Sequence, residues 1–251
     1  MDIFKLWDDS LDVDVTIEYY KPIKTASDKA VVVFPGGGYN HLARHEGEGY
    51  AHLLNTFGIT AFVVNYRVAP NHFPVQLLDA RRAMRFVRSK ASEFRIDKNK
   101  IFAMGSSAGG HLVALLSTYC KDIGEPNDAL LKEEFLPNGQ ILCYSVISSD
   151  EKIFHAGSYR NLLGELYGKK EEYSPDLLVN ENTPTAFIWH TSNDCVVPCV
   201  NSYRYAESLW KKGIECELHV FPDGPHGLGV APQNPHVSQW WQLLKNWITR
   251  L

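Results

Sequence analysis

The order of apolar and polar positions divides the chain into short apolar runs separated by longer amphipathic stretches. In residues 12–19 every second position is apolar, the alternation of a half-exposed antiparallel edge strand. Residues 30–34 are apolar without a break, as a strand covered on both faces would be. Tyr50, Leu54 and Phe57 recur at helical spacing, and Gly58 is placed to stop that helix. Residues 59–66 read as the next strand. Leu77, Ala80, Met84, Val87 and Ala91 then follow in steps of three and four, an amphipathic helix. Further strands are expected at 141–144, at 185–190, and where Cys216, Leu218 and Val220 alternate. Helices are expected around Tyr203, Ala206 and Trp210, ended by Gly213, and around Val237, Trp240, Trp241, Leu244 and Trp247. Residues 148–182 mix charge, aromatics and turn residues, and read as an insertion between strands, shaped as a lid. Strands alternating with helices predict an α/β fold in one domain over 1–251. Its sheet should be mostly parallel, with helices on both faces and right-handed crossovers.

One segment breaks this rhythm in an informative way. Residues 100–116 run from an apolar strand through Gly105-Ser106-Ser107-Ala108-Gly109 into a helix of small and apolar residues. The frame Gly105-x-Ser107-x-Gly109 matches G-x-S-x-G, a sharp strand-to-helix turn that exposes a serine oxygen. Glycines two residues to either side remove the Cβ atoms that would strike neighbouring backbone. The helix starting beyond the serine aims the Ala108 amide at an oxyanion. Ser107 is the expected nucleophile, with Ser106 in the variable slot.

A serine needs a base, and the base needs an orienting acid. The best downstream acid is Asp194, in the loop after the strand at 185–190, where open α/β sheets place their active sites. Of the ten histidines, His226 lies in a Gly/Pro-rich loop between the last strand and the last helix, within reach of both other loops. His190 is expected inside the sheet packing, His219 exposed, His236 at the start of the last helix, and His111 structural. Asp223 is a weaker acid because it shares a loop with the base. After the strand at 30–34 comes Pro35-Gly36-Gly37-Gly38-Tyr39, whose glycines let amides face a carbonyl oxygen unobstructed. The amides of Gly37 and Gly38 are the expected donors beside Ala108.

Composition narrows the partners. The chain has 251 residues, 45% hydrophobic and 22% charged, with net charge -4 from 25 basic and 29 acidic residues. That balance gives no general attraction for nucleic acid or an anionic membrane. The first residues carry acids where a signal peptide carries bases, and no apolar run reaches the roughly 18 residues of a membrane span, so a cytoplasmic location is expected. The five cysteines (Cys120, Cys143, Cys195, Cys199, Cys216) are scattered, and the Cys195-x-x-x-Cys199 spacing lacks a second ligand pair, so reduced thiols are expected instead of a metal site.

These residues carry a family resemblance. Residues 31–39, His45-Glu46-Gly47, Asn65-Tyr66-Arg67-Val68-Ala69-Pro70, residues 78–83, 105–111, 189–198 with Asn201-Ser202, and 221–229 are colinear with one pattern. The chain resembles an α/β-hydrolase of the bacterial lipase/esterase type, and more narrowly the acetyl-esterase and acetyl-xylan-esterase-like proteins. The resemblance implies Ser107 as nucleophile, Asp194 as acid and His226 as base, acting on short acyl esters such as acetylated sugars without metal or organic cofactor. Pro35 stands where the wider family usually has a histidine. An amide substrate, as in formamidase- or peptidase-like relatives, and a ligand-binding body without turnover are the competing readings. The N-terminal segment and the insertion are expected to shape the pocket. Phe154, Tyr159, Tyr167 and Tyr173 are expected chiefly to pack the insertion onto the body. Oligomeric state is left open.

Overall fold

The computed structural model describes residues 2–7, 13–23 and 26–251. In chain order its strands are β1 (Asp2–Lys5), β2 (Thr16–Tyr20), β3 (Ala30–Phe34), β4 (Thr60–Asn65), β5 (Ile101–Ser106), β6 (Gln140–Cys143), β7 (Ala186–Thr191) and β8 (Cys216–Phe221). Its helices are α1 (Arg44–Thr56), α2 (Val75–Ser89), α3 (Ala91–Phe94), α4 (Ser107–Thr118), α5 (Ala156–Leu163), α6 (Pro175–Leu178), α7 (Val200–Lys211) and α8 (Trp240–Arg250). A 3-10 stretch, Gly164–Tyr173, joins α5 to α6.

The strands form one 8-stranded sheet in the order β1-β2-β4-β3-β5-β6-β7-β8. From β4 to β8 all neighbours are parallel, while β1 and β2 pair antiparallel at one edge. The alternation at 12–19 therefore marks an antiparallel strand, but Asp12 lies outside the described residues and the strand is Thr16–Tyr20. It is also not the edge: β1, whose four residues show no periodicity, pairs outside it.

The unbroken apolar run of β3 has its cause in two separate cores. Val32 and Phe34 pack with Leu77, Met84, Leu112 and Leu116 on one face. Val31 and Val33 pack with Tyr50, Leu54, Trp240 and Trp247 on the other. Thus α2 and α4 cover one side, and α1 and α8 the other. The apolar stripe of α8 (Trp240, Leu244, Trp247, Ile248) is fully buried. At about 1.5–3 kcal/mol per side chain, it anchors the helix that follows the His226 loop. Opposite, Asp79 of α2 accepts from Trp7 Nε1 at 2.7 Å and from Arg67 Nε at 2.9 Å, tying the N-terminal residues to the body.

The insertion is packed down. Tyr159, Leu162, Leu163 and Tyr173 belong to the core, with Phe154 and Tyr167 against it, which is the packing role expected for its aromatics. No helix among the described residues is long and apolar enough to cross a membrane.

Candidate functional site

Five loops at the carboxyl ends of parallel strands converge on one cavity of about 310 Å³. Its lining includes Gly37, Gly38, Ser107, His155, Val196 and His226. None of the described N-terminal residues lines it, in contrast to the expectation for that segment as far as it is described; β1 and β2 lie at the far edge of the sheet.

Ser107 opens α4 directly after β5, with φ of 51°, a left-handed conformation that costs a non-glycine residue about 1–2 kcal/mol. The turn is held by close approach. A Cβ on Gly109 would strike the carbonyl oxygens of Phe34 and Pro35, and one on Gly110 would strike Ser145. The elbow and the glycine loop after β3 are therefore in backbone contact.

Ser107 Oγ lies 2.8 Å from His226 Nε2, and His226 Nδ1 lies 2.6 Å from Asp194 Oδ2. Asp194 Oδ1 accepts the amides of Val196 and Val197, both at 2.9 Å. Burial would raise the Asp194 pKa, but hydrogen bonds from His190, His226 and the Val197 amide outweigh it and hold the carboxyl well below its usual range. An ionised Asp194 makes His226 Nδ1 a donor, which leaves Nε2 to accept the Ser107 proton. The acid and base loops are laced together. Thr191 Oγ1 donates to the Gly224 carbonyl at 2.7 Å, and the Gly224 amide to Asn193 Oδ1 at 2.9 Å. Asp223, the weaker acid candidate, is bonded by Asn193 on this lacing and not by His226.

The glycine loop divides its work. The Gly36 amide donates to buried Glu46 Oε2 at 2.8 Å. Gly37 and Gly38 have φ of 120° and 64°, and no acceptor among the described residues takes their amides. Ala108 is buried in the first turn of α4, where backbone N–H groups lack intrahelical partners. Pro35, standing in place of a histidine, gives its carbonyl to Tyr66 Oη at 2.6 Å.

The remaining histidines are distributed as follows. His111 is buried, bonded to Tyr39 and to the Tyr173 carbonyl, and burial pushes its pKa down to about 4. His190 is buried as expected, yet it also stands beside Asp194. His236 directly precedes the turn leading into α8. His219 is half-buried, not exposed, because its ring lies 5.2 Å from that of Phe187 and its Nε2 2.9 Å from Glu217. His155, from the insertion, lines the cavity with its pKa lowered, first by burial and then by His226. Position in sequence gave no reason to choose His155, which is recognisable only from the loops it joins, and Glu46 stood out only as part of the His45-Glu46-Gly47 match. The five cysteines carry free thiols.

The BD-FAE family model matches residues 17–138 and the prolyl oligopeptidase family model residues 144–251. The chain is 40% identical over 217 residues to endo-1,4-beta-xylanase B of Butyrivibrio fibrisolvens, covering 84% of this chain and 34% of that protein. It is 36% identical over 230 residues to the acetylxylan esterase of Xylanibacter ruminicola, covering 88% of this chain and 45% of that protein. The chain thus spans less than half the length of these two curated relatives. The crystal structure of an acetyl ester-xyloside bifunctional hydrolase from Caldicellulosiruptor lactoaceticus superposes with a TM-score of 0.89 at 38% identity, covering 99% of this chain and 96% of that one. Sheet order, elbow and this full-length likeness agree: the chain belongs to the α/β-hydrolase family, among its bacterial acetyl-esterase and acetyl-xylan-esterase-like members.

Proposed function

We propose that the protein is a serine carboxylic-ester hydrolase for short acyl groups, acetyl above all, carried on sugars. The observation that carries this reading is the relay in which Ser107 Oγ lies 2.8 Å from His226 Nε2 while Nδ1 lies 2.6 Å from Asp194. His226 takes the Ser107 proton as Oγ attacks the ester carbonyl, and Asp194 stabilises the imidazolium. The amides of Gly37, Gly38 and Ala108 receive the oxyanion. As the ester C–O bond breaks, His226 gives this proton to the departing sugar oxygen, which leaves as a hydroxyl. Water, deprotonated by His226, attacks the acyl-serine, and its collapse releases the carboxylic acid and returns the proton to Ser107. Two relatives whose names specify acetyl esters support a sugar acetate. Residues 148–182 act as a packed wall of the same unit, contributing His155.

Turnover of p-nitrophenyl acetate through decanoate, and acetate release from acetylated xylose, test this. Wild-type enzyme should favour the shortest acyl chains, and Ser107→Ala should lose about three or more orders of magnitude in kcat. Near-normal turnover by Ser107→Ala would remove Ser107 from the chemistry. The prolyl oligopeptidase match over 144–251 favours a second reading, an amide substrate. Faster cleavage of aminoacyl p-nitroanilides than of esters would select it.

A further inference from the structure

Glu46 is 2% exposed, in the first turn of α1, where the helix N-terminus favours negative charge. A carboxyl group taken out of water needs partners for both oxygens. Oε2 accepts the Gly36 amide at 2.8 Å, and Oε1 accepts the Tyr144 hydroxyl at 2.7 Å. His45 Nε2 lies 3.9 Å from Oε1 and 2.9 Å from the Gly227 carbonyl, to which it can donate. The Tyr144 oxygen in turn accepts the Gly229 amide at 2.8 Å. Tyr50 Oη lies 3.0 Å from Tyr144 Oη and 2.7 Å from Ser106 Oγ. Because the Tyr144 proton is committed to Glu46, Tyr50 donates to Tyr144 and Ser106 to Tyr50, so every hydrogen in the chain points toward the carboxyl. One side chain is thereby joined to the glycine loop at Gly36, to the His226 loop at Gly229, and to the elbow at Ser106. The Tyr144 ring also packs edge-on against His226, with centroids 5.1 Å apart, and the residue has φ of 37°.

We propose that Glu46 is a positioning residue: through Gly36 and Tyr144 it fixes the glycine-loop amides and the His226 loop in mutual register over Ser107. Engaging the Gly36 amide sets the peptide planes that follow it, and so the aim of the Gly37 and Gly38 donors. An oxyanion donor works only when aimed at the developing charge, so a loosened loop weakens the transition state more than substrate binding. The inference rests on the hydrolase reading above.

Wild type and Ser107→Ala are compared first on p-nitrophenyl acetate; Ser107-independent turnover would sink the hydrolase reading itself, before any Glu46 variant is measured. Given Ser107-dependent turnover, Glu46→Gln keeps the side-chain volume and one acceptor, and Tyr144→Phe keeps the ring against His226 while removing the hydroxyl. Each should lower kcat by about 10–100-fold with KM within about threefold, and affinity for a boronic acid transition-state analogue should fall in parallel. The double variant should lose no more than about threefold beyond the deeper single, because the two act as one unit. Folded variants with kcat within about twofold of wild type, a loss confined to KM, or fully multiplicative losses would overturn the proposal. Should Glu46→Gln fail to fold, as judged by its melting transition, Tyr144→Phe decides by the same criteria.

Discussion

His190 Nε2 stands 3.3 Å from Asp194 Oδ2 with both side chains fully shielded from solvent, so the carboxylate that faces His226 is flanked by a second imidazole. His190 Nε2 also meets the Val197 carbonyl at 2.9 Å, which requires a hydrogen on that nitrogen, and Nδ1 lies 2.7 Å from Ser202 Oγ. A donor on the far side of Asp194 stabilises its charge without competing for the Ser107 proton.

The depressed Asp194 pKa has a defined sign. Its ionised form contributes stability above the ordinary value of 3.8, lost only as pH falls through the lower folded value. Asp194 therefore stays charged across any working range, and loss of activity on acidification should follow one ionisation, that of the base. We expect log(kcat/KM) for p-nitrophenyl acetate to fall with unit slope, and Asp194→Asn to lose about 10³–10⁴ in kcat through the wrong imidazole tautomer. A limiting slope of two would show a second group titrating with it.

Strain at the elbow gives a separate test. Ser107 holds φ of 51°, where an alanine is strained and a glycine is not. The left-handed penalty of about 1–2 kcal/mol exceeds the flexibility cost of glycine, about 0.5–1 kcal/mol. Ser107→Gly should therefore be about 0.5–1 kcal/mol more stable than Ser107→Ala in urea unfolding, with both inactive. Equal midpoints would mean that the turn relaxes in the variants.

Local pattern located the parallel body of the sheet because doubly covered strands and amphipathic helices leave their periods in the residues. β3 reads as an unbroken apolar run and α2 as steps of three and four. The elbow and its acid and base loops were legible for a related reason: chain order and strand ends restrict where such groups stand. β1 was not, since four residues of mixed exposure carry no alternation. Glu46 and Tyr144 are 98 positions apart, and spacing says nothing about a pair that meets only when two crossovers have folded. Glu46 was visible solely inside the His45-Glu46-Gly47 match to the family pattern. His155 reaches the cavity because the insertion packs down and α5 begins there, with the Ser158 amide bonded to the ring.

Glycine placement predicts a contrast at positions of similar composition. A Cβ at Gly109 meets the backbone carbonyls of Phe34 and Pro35, which cannot move without shifting the glycine loop, whereas one at Gly168 meets nothing within 4 Å. Gly109→Ala should cost about 2 kcal/mol or more and lower kcat by about tenfold or more. Gly168→Ala should leave both within error. Thermal melts and initial rates measured side by side suffice, and an unaffected Gly109→Ala enzyme would contradict the close approach.

His111 supplies a stability switch that takes no part in the relay. The Tyr173 carbonyl, 3.0 Å from Nε2, fixes a hydrogen on that nitrogen, so Nδ1 accepts from the Tyr39 hydroxyl at 2.9 Å and the buried ring is neutral. Its surroundings are aromatic, with the Tyr159 ring centroid at 5.1 Å, and no carboxylate is bonded to it among the described residues. Burial lowers its pKa from 6.5 to about 4. The unfolded chain therefore takes up a proton that the folded chain refuses between those values: stability is full above about pH 6.5 and declines as pH falls toward 4. Linkage gives a loss of about 2 kcal/mol between pH 7 and pH 5 from this one group. His111→Gln, which can still donate to one neighbour, should be less stable at pH 7 but should show a pH 7-to-5 loss smaller by about that amount. Urea midpoints at the two pH values for both proteins measure the difference, and an unchanged pH dependence in the variant would assign the acid sensitivity to other groups.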